Sequence, residues 1–154
     1  MANPDIQIRT PSGSFRLRVV ALIIRDGKLL AVKAENHDTY YTVGGRIHLG
    51  ESSEQAVIRE AFEETGLHLE IDRLLFVQES CFTFQDALCH EVAFHYLMKT
   101  PQADIPEGSH TDQISETLHW LPVDSLPSLP LVPAFLKEAL QHLPDEVVHI
   151  AAWE

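Results

Sequence analysis

From Arg59 to Gly66 the chain reads REAFEETG, and this crowding of acids limits what the segment can become. The flanks mark a helix. Ser52 followed three residues on by Gln55 fits a capping box, and Gly66 fits the glycine that follows a helix end. On a helix, like charges three and four positions apart repel, and a helix serving only solubility would intersperse lysine. Glu60, Glu63 and Glu64 therefore predict something positive in their midst. At about 100° per residue the three carboxylates share an arc of roughly 100°, and the small Ala56 leaves room within it one turn earlier. Ile58, Ala61, Phe62 and Thr65 fall on a neighbouring arc. The expectation is that this second face packs on a sheet while the acidic face is presented beside it. Arg59 borders the acidic arc and can reach Glu63 at i,i+4.

Hard oxygen ligands clustered without Cys or His suit Mg²⁺ or Mn²⁺. Glu51, just before the helix, can reach the same place from its loop. Gly44, Gly45 and Gly50 allow sharp backbone turns there, and allow a carbonyl or amide to approach an ion or phosphate closely. The nine histidines do not argue for zinc: no H-x₃-H or C-x₂-C spacing occurs. His90 and His95, five apart on a probable strand, face opposite sides.

The rest of the chain reads as one domain over residues 1–154. Arg16–Ile24 is β-branched and apolar, a buried strand. RDG turns the chain, and KLLAVKA returns as a second strand. ENHDT is loop, and YYTV is a short strand running into Gly44 and Gly45. After the helix, strands are expected at about Leu74–Cys81 and Leu88–Lys99. TPQADIPEGSHTD is a loop, SETLHWLP a last strand, and Pro133–His142 a closing helix. Strands, helix, strands, helix predict an α/β fold with a mixed sheet between helices.

Composition narrows the function. The formal charge is −12, from 23 acidic and 11 basic residues, which opposes binding of a nucleic-acid polymer. It does not oppose a small phosphorylated substrate, because divalent ions bridge acids to phosphates. No apolar run is long enough to span a membrane, and the N-terminal stretch has no apolar signal core, so a cytoplasmic protein with no membrane partner is expected. Cys81 and Cys89 read as reduced, buried thiols.

Gly45, five residues, Glu51, seven residues, then Arg59-Glu60-Ala61-x-Glu63-Glu64-x-Gly66-Leu67 resembles the Nudix box. Every fixed position matches, with Ala61 a small occupant where the family prefers a bulkier aliphatic. The resemblance implies the Nudix α/β/α sandwich and hydrolysis of a nucleoside diphosphate linked to another group X, with water attacking phosphorus. It implies that Glu60, Glu63 and Glu64 hold Mg²⁺ or Mn²⁺, with the Gly44 carbonyl a further ligand. Glu51 looks like a supporting acid, and Arg59 like the residue that orients the glutamates.

A carboxylate must accept the water's proton. Glu60 and Glu63 are the first candidates, and Glu91, Asp112 and Glu116 are candidates outside the box. Arg16, Arg18 and Lys33 are candidates to meet phosphates. Tyr40, Tyr41, Phe82 and Phe84 are candidates to stack on a base, Tyr41 foremost. Some family groups carry a proline or tyrosine some fifteen residues past the box. Here no proline lies between Leu67 and Thr100, and the tyrosine there is Tyr96. A nucleotide triphosphate or small nucleoside diphosphate derivative is the first choice of substrate, and the reading allows a homodimer. The alternative is a non-catalytic nucleotide-binding or sensing domain of the same fold; such proteins often lose box acids, and none is lost here.

Overall fold

Residues 3–153 are described by the computed structural model. In chain order its strands and helices are β1 (Gln7–Thr10), β2 (Gly13–Leu22), β3 (Ile24–Arg25), β4 (Lys28–Ala34), β5 (Tyr40–Arg46), α1 (Ser53–Thr65), β6 (Ile71–Phe84), β7 (Ala87–Met98), β8 (Glu116–Pro122), β9 (Leu131–Val132), α2 (Leu136–Ala139) and β10 (Val148–Trp153). A 3-10 turn, Val123–Ser128, joins β8 to β9.

The strands form one mixed sheet in the order β10-β6-β7-β2-β5-β4-β3, with β1 beside β2, β8 beside β4 and β9 beside β5. The pairs β2/β7, β6/β10 and β5/β9 are parallel. Alternate residues of β2 serve the two faces, as a pleated strand requires. Val19 and Ala21 join the core under α1 with Leu30, Val43 and Tyr96. Val20 and Leu22 join the opposite core, where Leu126, Leu131, Leu136 and Leu140 close over Leu29, Ala31 and Phe76. The sheet thus lies between helical layers on both faces, as the sequence pattern predicts.

Helix α1 begins and ends where its local chemistry says it should. The Ser52 hydroxyl accepts from the Gln55 amide at 3.1 Å, and the Gln55 side chain accepts from the Ser52 amide at 3.0 Å. Gly66 closes it with φ 76°, a left-handed conformation that costs glycine little, and donates to the Phe62 carbonyl.

Three expectations need correction. The face of α1 against the sheet is Ala56, Val57 and Ala61, with Ile58 and Phe62 left exposed. Small side chains let the helix sit close to β2 and β5, and that rotation turns Glu60 and Glu64 toward the sheet rather than beside it. Phe62 instead stacks on His68, ring centroids 4.2 Å apart. The closing helix is four residues long, not ten: its approach uses i→i+3 bonds, Leu136 to Pro133 and Lys137 to Ala134. Prolines at 133 and 144 confine it, since neither can donate within a helix. Nor is β8 the last strand. β10 runs parallel to β6 from Val148 opposite Phe76 to Trp153 opposite Cys81. Cys81 and Cys89 are buried free thiols, as read from the sequence.

The corrected face has a direct consequence. Ala61→Leu overpacks a fully buried position and should lower stability by about 1–3 kcal/mol in urea unfolding. Phe62→Ala, on the outer face, should cost less. The reverse order would contradict this seating of the helix.

Candidate active site

The site grows from one guanidinium. Arg59 spends all five of its N–H donors inside the protein. Its Nε donates to Glu51 Oε1 at 2.7 Å, and its Nη2 to Glu51 Oε2 at 3.0 Å and to the Arg46 carbonyl at 2.9 Å. Its Nη1 donates to Glu60 at 2.9 Å and to Glu63 at 3.2 Å. Glu51 also accepts from the His48 amide at 2.9 Å, so both its oxygens are engaged. The hydrogen bonds from Arg59, more than any other cause, hold the Glu51 carboxyl below the ordinary carboxylate range, and the same bonds raise the Arg59 guanidinium. The positive partner that the acidic helix calls for is thus, in part, its own arginine.

Glu60 reaches the sheet at Gly45. A methyl group there would meet the Glu60 carboxyl carbon at 2.4 Å, so only glycine lets this acid lie against β5. Burial raises the Glu60 carboxyl above its ordinary value, while Arg59 pulls it down. Glu64 is the most constrained of the set. Its Oε2 is buried with no hydrogen-bond partner. Burial, reinforced by the charge of Glu60, pushes its carboxyl up to about 9, against a smaller opposite effect of the Gly44 amide. Asp112 and Glu116, on the far loop and the start of β8, add to that rise.

The arrangement of the candidates is therefore uneven. Glu51, Glu60 and Glu63 meet at Arg59, and Glu64 lies by Gly44. Among the described residues no three acids, histidines or cysteines are gathered as a ready-made metal cage. The donor set nevertheless fits a hard divalent cation: the carboxylates offer only oxygen, and the orphaned Glu64 oxygen is a buried acceptor without a donor. Glu91 is committed elsewhere. Its Oε2 accepts from Arg16 Nη2 at 2.7 Å and Nε at 3.1 Å, and Arg18 stands 3.9 Å from its other oxygen.

Arg18 lies opposite Arg46 in the β2–β5 register, next to the glycines, and its charge acts on Glu60. Lys33 pairs with Tyr40, six residues along β5 from Arg46 and so about 20 Å away. Its ammonium stands 5.4 Å from the Tyr40 ring. Tyr41 is exposed on the α1 side of the sheet, opposite in face to Arg18 and Lys33. Sequence reasoning did not single out Arg46 or His48. Arg46 supplies a carbonyl to Arg59, and His48 an amide to Glu51. Backbone donors and acceptors leave no residue-type signal.

A family model described as NUDIX domain matches residues 14–143. A MutT-like protein from Streptomyces ambofaciens is 38% identical over 81 residues, 52% of this chain and 51% of that protein. An uncharacterized Nudix hydrolase, YvcI, from Bacillus subtilis is 29% identical over 109 residues, 70% of this chain and 66% of that protein. The chain thus spans about half to two thirds of the length of these relatives. The crystal structure of a MutT NUDIX hydrolase from Burkholderia pseudomallei superposes with a TM-score of 0.65 at 30% identity, covering 80% of this chain and 96% of that one.

The burial of Glu64 predicts a pH signature in metal-free protein. Its folded pKa, about 9, lies above the ordinary carboxylate value. Its contribution is therefore complete below about pH 4 and is lost as pH rises toward 9, because the fold prefers the protonated acid. In EDTA, Glu64→Gln should melt at least ~4 °C above the wild type at pH 8, and the two should converge near pH 4.5. Differential scanning calorimetry at both pH values checks this; an equal gap at both would contradict it.

Proposed function

The chain belongs to the NUDIX domain family, and from that premise we propose that it hydrolyses a diphosphate bond in a nucleoside diphosphate linked to another group X. A nucleotide triphosphate or a small nucleoside diphosphate derivative is the substrate class. The observation that carries the reading is Arg59 binding Glu51, Glu60 and Glu63 beside the glycine pair that admits Glu60 to β5.

A diphosphate repels an attacking oxyanion. Glu60, Glu63 and Glu64 would hold Mg²⁺ or Mn²⁺, with the Gly44 carbonyl beside them. When bound, a divalent ion supplies charge neutralisation at the phosphates and lowers the pKa of a coordinated water. The protein's own contribution is placement and proton acceptance. Arg59 fixes the directions of Glu60 and Glu63. Glu51 has both oxygens engaged, which supports a positioning role for it through Arg59 rather than a direct one. A carboxylate takes the proton of the attacking water as its oxygen bonds to phosphorus and the bridging oxygen leaves. Glu60 and Glu63 remain the first candidates. Asp112 and Glu116 are close enough to act on Glu64, which keeps them as acceptors from outside the box. Glu91 is the weakest of the five, because its Oε2 is already taken by both bonds from Arg16.

Arg18, 31% exposed at its side chain on the face opposite α1, is near enough for its charge to act on Glu60 and is the candidate to meet a phosphate. Arg16 is occupied by Glu91. Lys33 and Tyr41 are too distant or wrongly faced to share that phosphate, so the phosphate-binding role narrows to Arg18.

Chelation tests the reading first. EDTA should abolish release of nucleoside monophosphate from a panel of nucleotides and diphosphate conjugates, and Mg²⁺ or Mn²⁺ should restore it. Glu63→Gln and Glu64→Gln should each lower kcat by at least about 10²-fold while leaving the protein folded. Full turnover in EDTA, or wild-type rates in both variants, would overturn the reading.

A further inference from the structure

The sheet face opposite α1 carries, beyond Arg18, polar groups to which the reaction gives no role. The strand register lines them up in two rows. The first runs Arg46, Arg18, Ala93, Gln78 across β5, β2, β7 and β6; the second, one step outward, runs Arg16, Glu91, Ser80. Residues directly paired across strands share a face. The first row begins two residues from Gly44, so the rows lead away from the acidic site, from cationic to uncharged. Of the like-charge pair Arg18 and Arg46, Arg46 is already ion-paired with Asp5 at 3.2 Å, whereas Arg18 stands 3.9 Å from the nearest carboxylate oxygen and is the cation left to meet an anion.

The far end is buried and poorly satisfied. Gln78, Ser80 and Glu91 are 5%, 6% and 8% exposed. The Ser80 hydroxyl has no hydrogen-bond partner. Glu91 Oε2 takes both bonds from Arg16, while Oε1 has Arg18 at 3.9 Å, too far for a hydrogen bond. Gln78 Oε1 lies 3.1 Å from His95 Nε2, and His95 Nδ1 is unpartnered. A proton on Nε2 satisfies that contact and fixes the Gln78 amide, leaving its NH₂ as a group that can only donate. The row therefore offers an acceptor at Glu91, a donor at Gln78, and between them a hydroxyl that can be either. Buried groups left in this state cost free energy that a matching ligand recovers.

We propose that Gln78, Ser80 and Glu91 are specificity-determining residues that read the edge of a nucleobase, an N–H donor beside an acceptor, while Arg18 holds the phosphate end. This rests on the reading of the same site as a nucleotide hydrolase. Glu91 accepts from the base N–H, Gln78 donates to a carbonyl or ring nitrogen, and Ser80 completes the edge. Ala93, opposite Gln78, leaves the floor clear of side chain. Arg16 stays on Glu91 Oε2 and leaves Oε1 for the base, while Arg18, 31% exposed at its side chain, is free to move toward a phosphate.

The test is calorimetric titration, in Mg²⁺, of wild type, Gln78→Leu, Ser80→Ala and Arg18→Gln. The probes are the nonhydrolysable α,β-imido analogues of the four common ribonucleoside triphosphates, with tripolyphosphate as a base-free probe. The wild type should favour one base or pair of bases over the others by at least about 10-fold. Gln78→Leu and Ser80→Ala should reduce that preference to under about 3-fold while leaving tripolyphosphate binding within about twofold. Arg18→Gln should weaken every probe by at least about 10-fold. Ser80→Ala removes a hydroxyl that bonds to nothing, so its folding is not at issue. Equal wild-type affinity for all four bases, a preference kept in both row variants, or no nucleotide binding at all would overturn the proposal. Parallel turnover of the natural triphosphates separates the two readings. Base-selective binding without release of nucleoside monophosphate sinks the hydrolase and spares the row; release with unaltered base preference in the variants does the opposite.

Discussion

Everything at this site depends on Arg59. Its guanidinium is planar and permanently charged, and it is satisfied on every N–H by the loop before α1, by the end of β5 and by its own helix. It therefore ties the position of three acids to the position of the sheet. A lysine at 59 would be a point charge with three donors, unable to grip Glu51 with two parallel bonds while also reaching the Arg46 carbonyl. The repulsion among the glutamates is partly offset by this one side chain. The offset is incomplete, because Glu64 makes no bond to Arg59 and keeps a buried oxygen without a partner.

The same geometry explains why packing and chemistry share residues. Ala56 and Ala61 bring α1 close to β2 and β5, and the absence of a side chain at Gly45 gives the Glu60 carboxyl its place. A bulkier core would be more stable in isolation, but it would lift the acids off the sheet. Burial then raises the carboxyls of Glu60 and Glu64, so in the metal-free protein the site weakens the fold as pH rises. A divalent cation would reverse that cost, because it binds the folded arrangement in preference to dispersed acids.

Much of this was legible in the sequence, for local reasons. The Ser52–Gln55 box, Gly66, the turn at Asp26–Gly27 and the strand Lys28–Ala34 are set by short-range chemistry and came through with their boundaries. The spacing of Glu51, Arg59, Glu60, Glu63 and Glu64 marked the site because helical geometry turns spacing into proximity. What stayed hidden depends on register and on partners far along the chain. Glu91 read as a free acid, yet it is paired with Arg16, 75 positions earlier in the sequence, because β2 and β7 run parallel with these residues opposite. Large apolar residues at 58 and 62 outweigh the alanines in the periodicity and point to the wrong packing face, whereas close approach rewards the small ones. β10 went unread, since a short apolar stretch shows no partner until β6 supplies one. Lys33 and Arg18 looked alike in sequence and lie at opposite ends of the β5 register.

The folded chain holds a cluster of mutually repelling, partly buried carboxylates that a divalent ion would relieve. Thermal melting at fixed ionic strength tests it most directly, comparing K⁺ with millimolar Mg²⁺ or Mn²⁺ in the wild type and in Glu63→Gln/Glu64→Gln. The wild type should gain in Tm with the divalent ions beyond what K⁺ gives, and the double variant should melt at or above the metal-free wild type and respond little. A wild-type curve indifferent to divalent ions, or an equal gain in the double variant, would contradict the account.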